Sequence, residues 1–130
     1  MNKKILITGS VFGIIAIILG AFAAHALKEM LPTTALQSFE TGVRYQMYHA
    51  FLLLIIGSTS IINEKSKKVI FYLVLTGVLC FSGSIYGLST SSVTNINFKS
   101  IALITPLGGV LLISAWSVLL INFLKVNSDN

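Results

Sequence analysis

The chain has 130 residues, 55% of them hydrophobic and 10% charged, with nine Lys and Arg against four Asp and Glu for a net charge of +5. A soluble domain carries about 25% charged residues, so there are too few charges here to solvate a surface in water, and the mean hydropathy of +0.88 agrees. The composition excludes a disordered chain, a coiled coil with charged heptads and, with Cys80 as the one cysteine, a disulfide-stapled secreted domain.

A helix crosses the hydrocarbon core of roughly 30 Å with about 20 mainly apolar residues. Four stretches qualify: 5–24, 45–62, 69–90 and 101–124. They occupy most of the chain and predict an all-α polytopic membrane protein, a four-helix transmembrane bundle forming a single domain over 1–130. The first stretch follows Lys3 and Lys4 and ends in small residues, as a signal peptide would. Its apolar run exceeds the h-region of about 7–15 residues, which favours an uncleaved span.

Small residues four apart let helices approach closely in lipid. The first span carries Gly9, Gly13, Ala16, Gly20 and Ala24, and the third carries Gly77, Gly83 and Gly87 with Ser84 on an adjacent row. These glycines mark the first and third spans as the tightly packed ones.

Between the first two spans, Thr34 and Gln37 have the form of a capping box after Pro32, predicting a helix from about Ala35 into the membrane. Leu36, Phe39, Val43 and Met47 share one face, which would lie on the membrane surface or extend the span outward. Glu40 and Arg44 are spaced for an ion pair on another face.

Along the same helix Gln37, Thr41, Tyr45 and His49 recur every four residues, with Gln46 on a neighbouring row. Polar groups at membrane depth are costly unless paired. His25, at the end of the first span, and Tyr45, Gln46 and His49, at the start of the second, are therefore predicted to form one polar cluster. It reads as a hydrogen-bond network between helices; ligation of haem or a metal, or proton relay, are the functional alternatives for its two histidines.

In the third span Cys80 reads as inert packing. In the fourth, Pro106 followed by Gly108 and Gly109 predicts a kink or local unwinding, which a gate or ion site could use. Trp116 and the tyrosines are weak anchors for depth.

Lys3, Lys4, Lys65, Lys67, Lys68 and Lys125 fall on one side of these spans, and Lys28, Arg44 and Lys99 on the other. The bias puts both termini in the cytoplasm. It explains the positive charge without nucleic acid, since no basic and aromatic residues interleave; contact of Lys65, Lys67 and Lys68 with anionic lipid is a second reading. No catalytic set assembles: Asp129 is the sole aspartate, and Glu29, Glu40 and Glu64 lie outside the spans. Two histidines without cysteine or paired carboxylates are an incomplete metal set, and no cofactor is predicted.

The segment GAFAAHALK over 20–28, followed by FETGVRYQMYHA over 39–50, resembles the domain-of-unknown-function family 423. These are small four-span membrane proteins of bacteria, similar in turn to the animal transmembrane protein 256. The matching positions are Gly20, His25, Ala26, Leu27, Gly42, Tyr45, Gln46, His49 and Ala50. The resemblance implies an inner-membrane protein and supplies no reaction or substrate. The expected function is non-enzymatic: binding of a lipid, ligand or partner protein near His25 and His49, within a membrane complex or a homo-oligomer. The alternatives are a small transporter or channel subunit built on the Pro106 break, and a haem or metal protein.

Overall fold

The computed structural model describes residues 1–97 and 99–126, with only the backbone of Lys99, and is helical with short connections. Helix α1 (Asn2–Phe22) runs through one π-helical turn (Ala23–Leu27) into the short α2 (Lys28–Met30). Then come α3 (Thr33–Ser58), α4 (Glu64–Ser89), the single turn α5 (Ser91–Thr94), a 3₁₀ turn (Lys99–Ile101) and α6 (Ile104–Lys125). Three stretches are long and apolar enough to cross a membrane: Asn2–Met30, Glu64–Ser89 and Ile104–Lys125. Helix α3 has the length, about 39 Å at 1.5 Å per residue, but Arg44, Gln46 and His49 dilute its hydropathy.

Successive helices pack antiparallel, α1 on α3, α3 on α4 and α4 on α6. The register is set by small residues. A Cβ placed on Gly9 would lie 3.0 Å from the Ala50 carbonyl oxygen, and one on Gly20 would lie 3.5 Å from Val43. Gly42 abuts the Tyr86 ring, Gly77 abuts Leu112, and Gly108 is pressed against the backbone of Phe81, where a Cβ would come within 2.4 Å of the amide nitrogen. The first and third spans thus pack mainly against α3 and α6, not against each other. Gly83 faces open space, with nothing within 4 Å of an added Cβ.

Each outer helix buries a single stripe. On α1 it is Ile5, Gly9, Phe12 and Ala16, and on α6 it is Gly108, Leu112, Ala115, Leu119 and Asn122. The remaining surface exposes Ile7, Ile14, Ile17 and Ile18 on α1 and Leu107, Ile113, Leu120 and Leu124 on α6. In water such apolar faces would aggregate; in a bilayer they are the lipid contact. The main core joins Ile5, Phe12, Leu53, Ile56, Ile70, Phe71, Val74 and Ala115. A second cluster, nearer the other end, seats Ala23, Leu27 and Leu31 against Phe39, with Leu36, Val43 and Tyr86 around it. The face predicted from Leu36, Phe39 and Val43 is therefore covered by protein, and α3 is one continuous helix.

Several local expectations are corrected. Helix α3 starts at Thr33 with Pro32 as N-cap and no side-chain cap, so the Thr34–Gln37 capping box does not form. Arg44 donates to the Thr41 hydroxyl at 3.0 Å rather than reaching Glu40. Pro106 sits in the first turn of α6, whose N-cap is Leu103. An amide there has no acceptor within the helix anyway, so proline costs no hydrogen bond and imposes no break.

At the end that holds the N-terminus, Lys67 is 1% exposed and donates to the Thr59 carbonyl at 2.5 Å and to Asn2 Oδ1 at 3.2 Å, with Glu64 at 3.6 Å. This one ammonium ties α1, the α3–α4 turn and α4 together. At the same end, Asn122 Nδ2 of α6 donates to the Ser66 hydroxyl of α4 at 2.8 Å. Both ends of the described chain therefore lie together, with Lys3, Lys4, Lys65, Lys67, Lys68 and Lys125.

Candidate functional site

In α3, Gln46 is 5% exposed and uses both ends of its amide. Its Nε2 donates to the Phe12 carbonyl of α1 at 2.8 Å, and its Oε1 accepts from the Tyr86 hydroxyl of α4 at 2.7 Å. Four residues toward the amino end of α3, the Gly42 carbonyl accepts from the Ser82 hydroxyl at 2.7 Å. One helical row of α3 thus supplies bonds to two neighbours, in the interior where an unpaired polar group would be most costly.

On an adjacent row His49, 4% exposed, is held at both ring nitrogens. Nδ1 lies 2.6 Å from the Tyr45 carbonyl, and Nε2 lies 3.1 Å from Trp116 Nε1 of α6. A carbonyl only accepts and an indole N–H only donates. The partners therefore assign the neutral tautomer with its proton on Nδ1. The Trp116 ring meets the imidazole edge-on at a centroid distance of 6.1 Å. Beside this bond a groove of about 450 Å³ opens to the outside between α3 and α6, lined by Tyr45, Tyr48, His49, Phe51, Leu52, Ile55 and Trp116. Tyr45 stacks at a tilt on Tyr48 and on Phe81.

Tyr45, Gln46 and His49 thus come together in this part of α3, but His25 does not join them. It lies in the π-helical turn, exposed, while Ala23 and Leu27 of the same turn are buried. Gln46 meets Phe12, and His25 is thirteen residues further along that helix, about 20 Å at 1.5 Å per residue. Two imidazoles bound to one metal need their nitrogens within about 2.1 Å of the same ion, so His25 and His49 cannot share a metal or haem iron. Among the described residues no group of three or more His, Cys, Asp and Glu could hold a metal ion.

Sequence reasoning missed Trp116, Tyr86, Ser82 and the Phe12 carbonyl as partners. A signal was present for the side chains: an indole N–H, a phenol and serines inside apolar runs each need a partner in lipid. A backbone carbonyl gives none. Of the glycines singled out for packing, Gly9, Gly13 and Gly20 face α3, whereas Gly83 faces no other helix.

The family profile described as "Protein of unknown function (DUF423)" matches residues 19–109. The chain is 37% identical over 125 residues to the UPF0382 membrane protein YwdK of Bacillus subtilis, covering 95% of this chain and 98% of that one. It is 35% identical to a UPF0382 membrane protein of Haemophilus influenzae, covering 89% and 90%. It is 28% identical to the UPF0382 inner membrane protein YgdD of Escherichia coli, covering 96% and 92%. No solved structure matches the chain.

Proposed function

Because the chain belongs to the DUF423 family, with bacterial membrane proteins as its relatives, we propose that it is a four-span plasma-membrane protein that acts by binding another transmembrane helix. The seat is the groove between α3 and α6 beside the His49–Trp116 bond. The observation that carries this reading is the pairing of a saturated polar interior with an open aromatic groove. Every buried side-chain nitrogen and oxygen among the described residues has a hydrogen-bond partner. Both ring nitrogens of His49 are engaged in hydrogen bonds, and Gln46, a neutral amide, neither titrates nor acts as a nucleophile. Tyr48, Phe51, Ile55 and Trp116, each 48–61% exposed, offer aromatic and aliphatic contact, the composition that interfaces favour.

Four spans are supported by the packing. Helix α3 lies antiparallel along α1 and α4, with Gln46 bonded to both of them and His49 bonded to Trp116 of α6, which supports a crossing by a helix that is not uniformly apolar. The grouping of Lys3, Lys4, Lys65, Lys67, Lys68 and Lys125 at one end supports cytoplasmic termini. The relative of Escherichia coli is called an inner membrane protein, which supports the same membrane here.

The test is native electrophoresis of the protein extracted from its own membrane in a mild detergent, with the subunits identified by peptide mass. The expected result is a discrete complex, with a second copy or another membrane protein, that dissociates in Phe51→Ala and Trp116→Ala proteins. A bare monomer in all three samples would overturn the reading.

A further inference from the structure

At the end that carries both termini, a cavity of about 400 Å³ lies between the amino end of α4 and the carboxyl end of α6. Helix α4 contributes its N-cap Asn63 and Lys65, Ser66 and Val69, and α6 contributes Val118, Ile121, Asn122 and Lys125. The two helices run antiparallel, and their contributions are ordered by depth. Lys65 and Lys125 stand at the helix ends, with Ser66 and Asn122 beside them. Val69, Ile121 and Val118 follow one to two turns inward; from Lys125 to Val118 is about 10 Å along the axis. Both lysines are exposed and form no ion pair among the described residues, whereas the nearby Glu64 lies 3.6 Å from Lys67 and does not line the cavity.

The geometry points to a binding site for an anionic phospholipid in this cavity. Two ammonium groups, an amide and a hydroxyl at headgroup level meet the phosphate and the polar glycerol region. The apolar inner wall takes the first part of an acyl chain. Basic pockets between transmembrane helices on the cytoplasmic side suit such headgroups, and the apolar wall selects a lipid over a free anion. Of the three lysines that sequence placed near lipid, Lys67 is excluded because its charge is spent inside the protein, and Lys125 takes its place. The site is separate from the groove at Trp116 and does not depend on it.

The test is native mass spectrometry of the full chain in detergent, titrated with phosphatidylglycerol or with phosphatidylcholine of the same acyl chains. One phosphatidylglycerol should bind ahead of any phosphatidylcholine. The Lys65→Gln/Lys125→Gln protein should lose about 30-fold in that affinity, from the attraction typical of two lysines near a lipid surface. The Lys3→Gln/Lys4→Gln protein, which loses the same charge from the same end outside the cavity, should keep it. Equal loss in the two double variants would reduce the effect to general surface charge and overturn the site. Equal binding of the two lipids, or displacement of phosphatidylglycerol by an equal concentration of inorganic phosphate, would overturn the lipid assignment.

Discussion

Tyr86 donates its hydroxyl to Gln46 Oε1 at 2.7 Å while the same amide donates to the Phe12 carbonyl at 2.8 Å, so one side chain fastens three helices. In lipid, where apolar burial does not drive helices together, such bonds and close packing hold the bundle. Interhelical bonds of this kind contribute about 0.6–2 kcal/mol each. Gln46→Ala, which loses both bonds, should destabilise the protein by roughly twice as much as Tyr86→Phe, which loses one. Denaturation of the reconstituted protein, arranged as a double-mutant cycle, should show coupling of about 1 kcal/mol between the two positions. Additive effects would mean that the bond contributes nothing to stability.

The glycines separate into those that permit contact and those that do not. Gly108→Ala places a Cβ 2.4 Å from the Phe81 amide nitrogen, where backbone on both sides must move. It should cost about 1–3 kcal/mol or more, the usual range for overpacking. Gly83→Ala meets nothing within 4 Å and should be neutral or more stable by up to about 1 kcal/mol, because alanine loses less entropy in a helix. Thermal unfolding in detergent distinguishes the two, and similar losses would contradict the α4–α6 packing.

Lys67 should be the lysine whose loss is felt. Lys67→Met removes the donor shared by Thr59 and Asn2, at a cost of about 2 kcal/mol for charge-assisted bonds. Lys68→Met, at an exposed neighbour, should change stability by less than about 0.5 kcal/mol. Equal effects in a denaturation series would show that the buried ammonium is not the tie between helix ends.

The four-span topology can be checked from the two faces of the membrane. In a Cys80→Ala background, Ile96→Cys should react with an impermeant maleimide in intact cells, and Ile61→Cys only after the membrane is opened. Both positions are exposed and lie at opposite ends of α4. Reaction of both in intact cells would contradict the proposal.

The helices were legible in the sequence because long apolar runs dominate it, and the resemblance over 20–28 and 39–50 led to the right family. Boundaries shifted where local signals competed. Thr34 and Gln37 looked like a cap, yet Pro32 already provides the extended residue before the helix. Pro106 looked like a break because the apolar run begins at Ile101, whereas the helix begins at Ile104 and leaves proline in a turn that tolerates it. For the site, periodicity placed Tyr45, Gln46 and His49 on the correct helix. It could not place His25, because the predicted span ends at 24 and 45 put His25 beside His49, whereas α3 already starts at Thr33 and its Gln46 meets Phe12, about 20 Å along α1 from His25. Nor could it find Trp116 as the partner of His49, a contact 67 residues away in sequence that only the packing of α6 creates.

The central claim, that the groove beside His49 and Trp116 receives another transmembrane helix, is tested most directly by photocrosslinking in living cells. A photoreactive phenylalanine analogue would replace Phe51 in the groove or, as control, Ile14 on the outer face of α1. The predicted result is a discrete protein adduct from position 51, mapped by mass spectrometry to a transmembrane segment and lost with Trp116→Ala, and none from position 14. Adducts to lipid alone from both positions would contradict it.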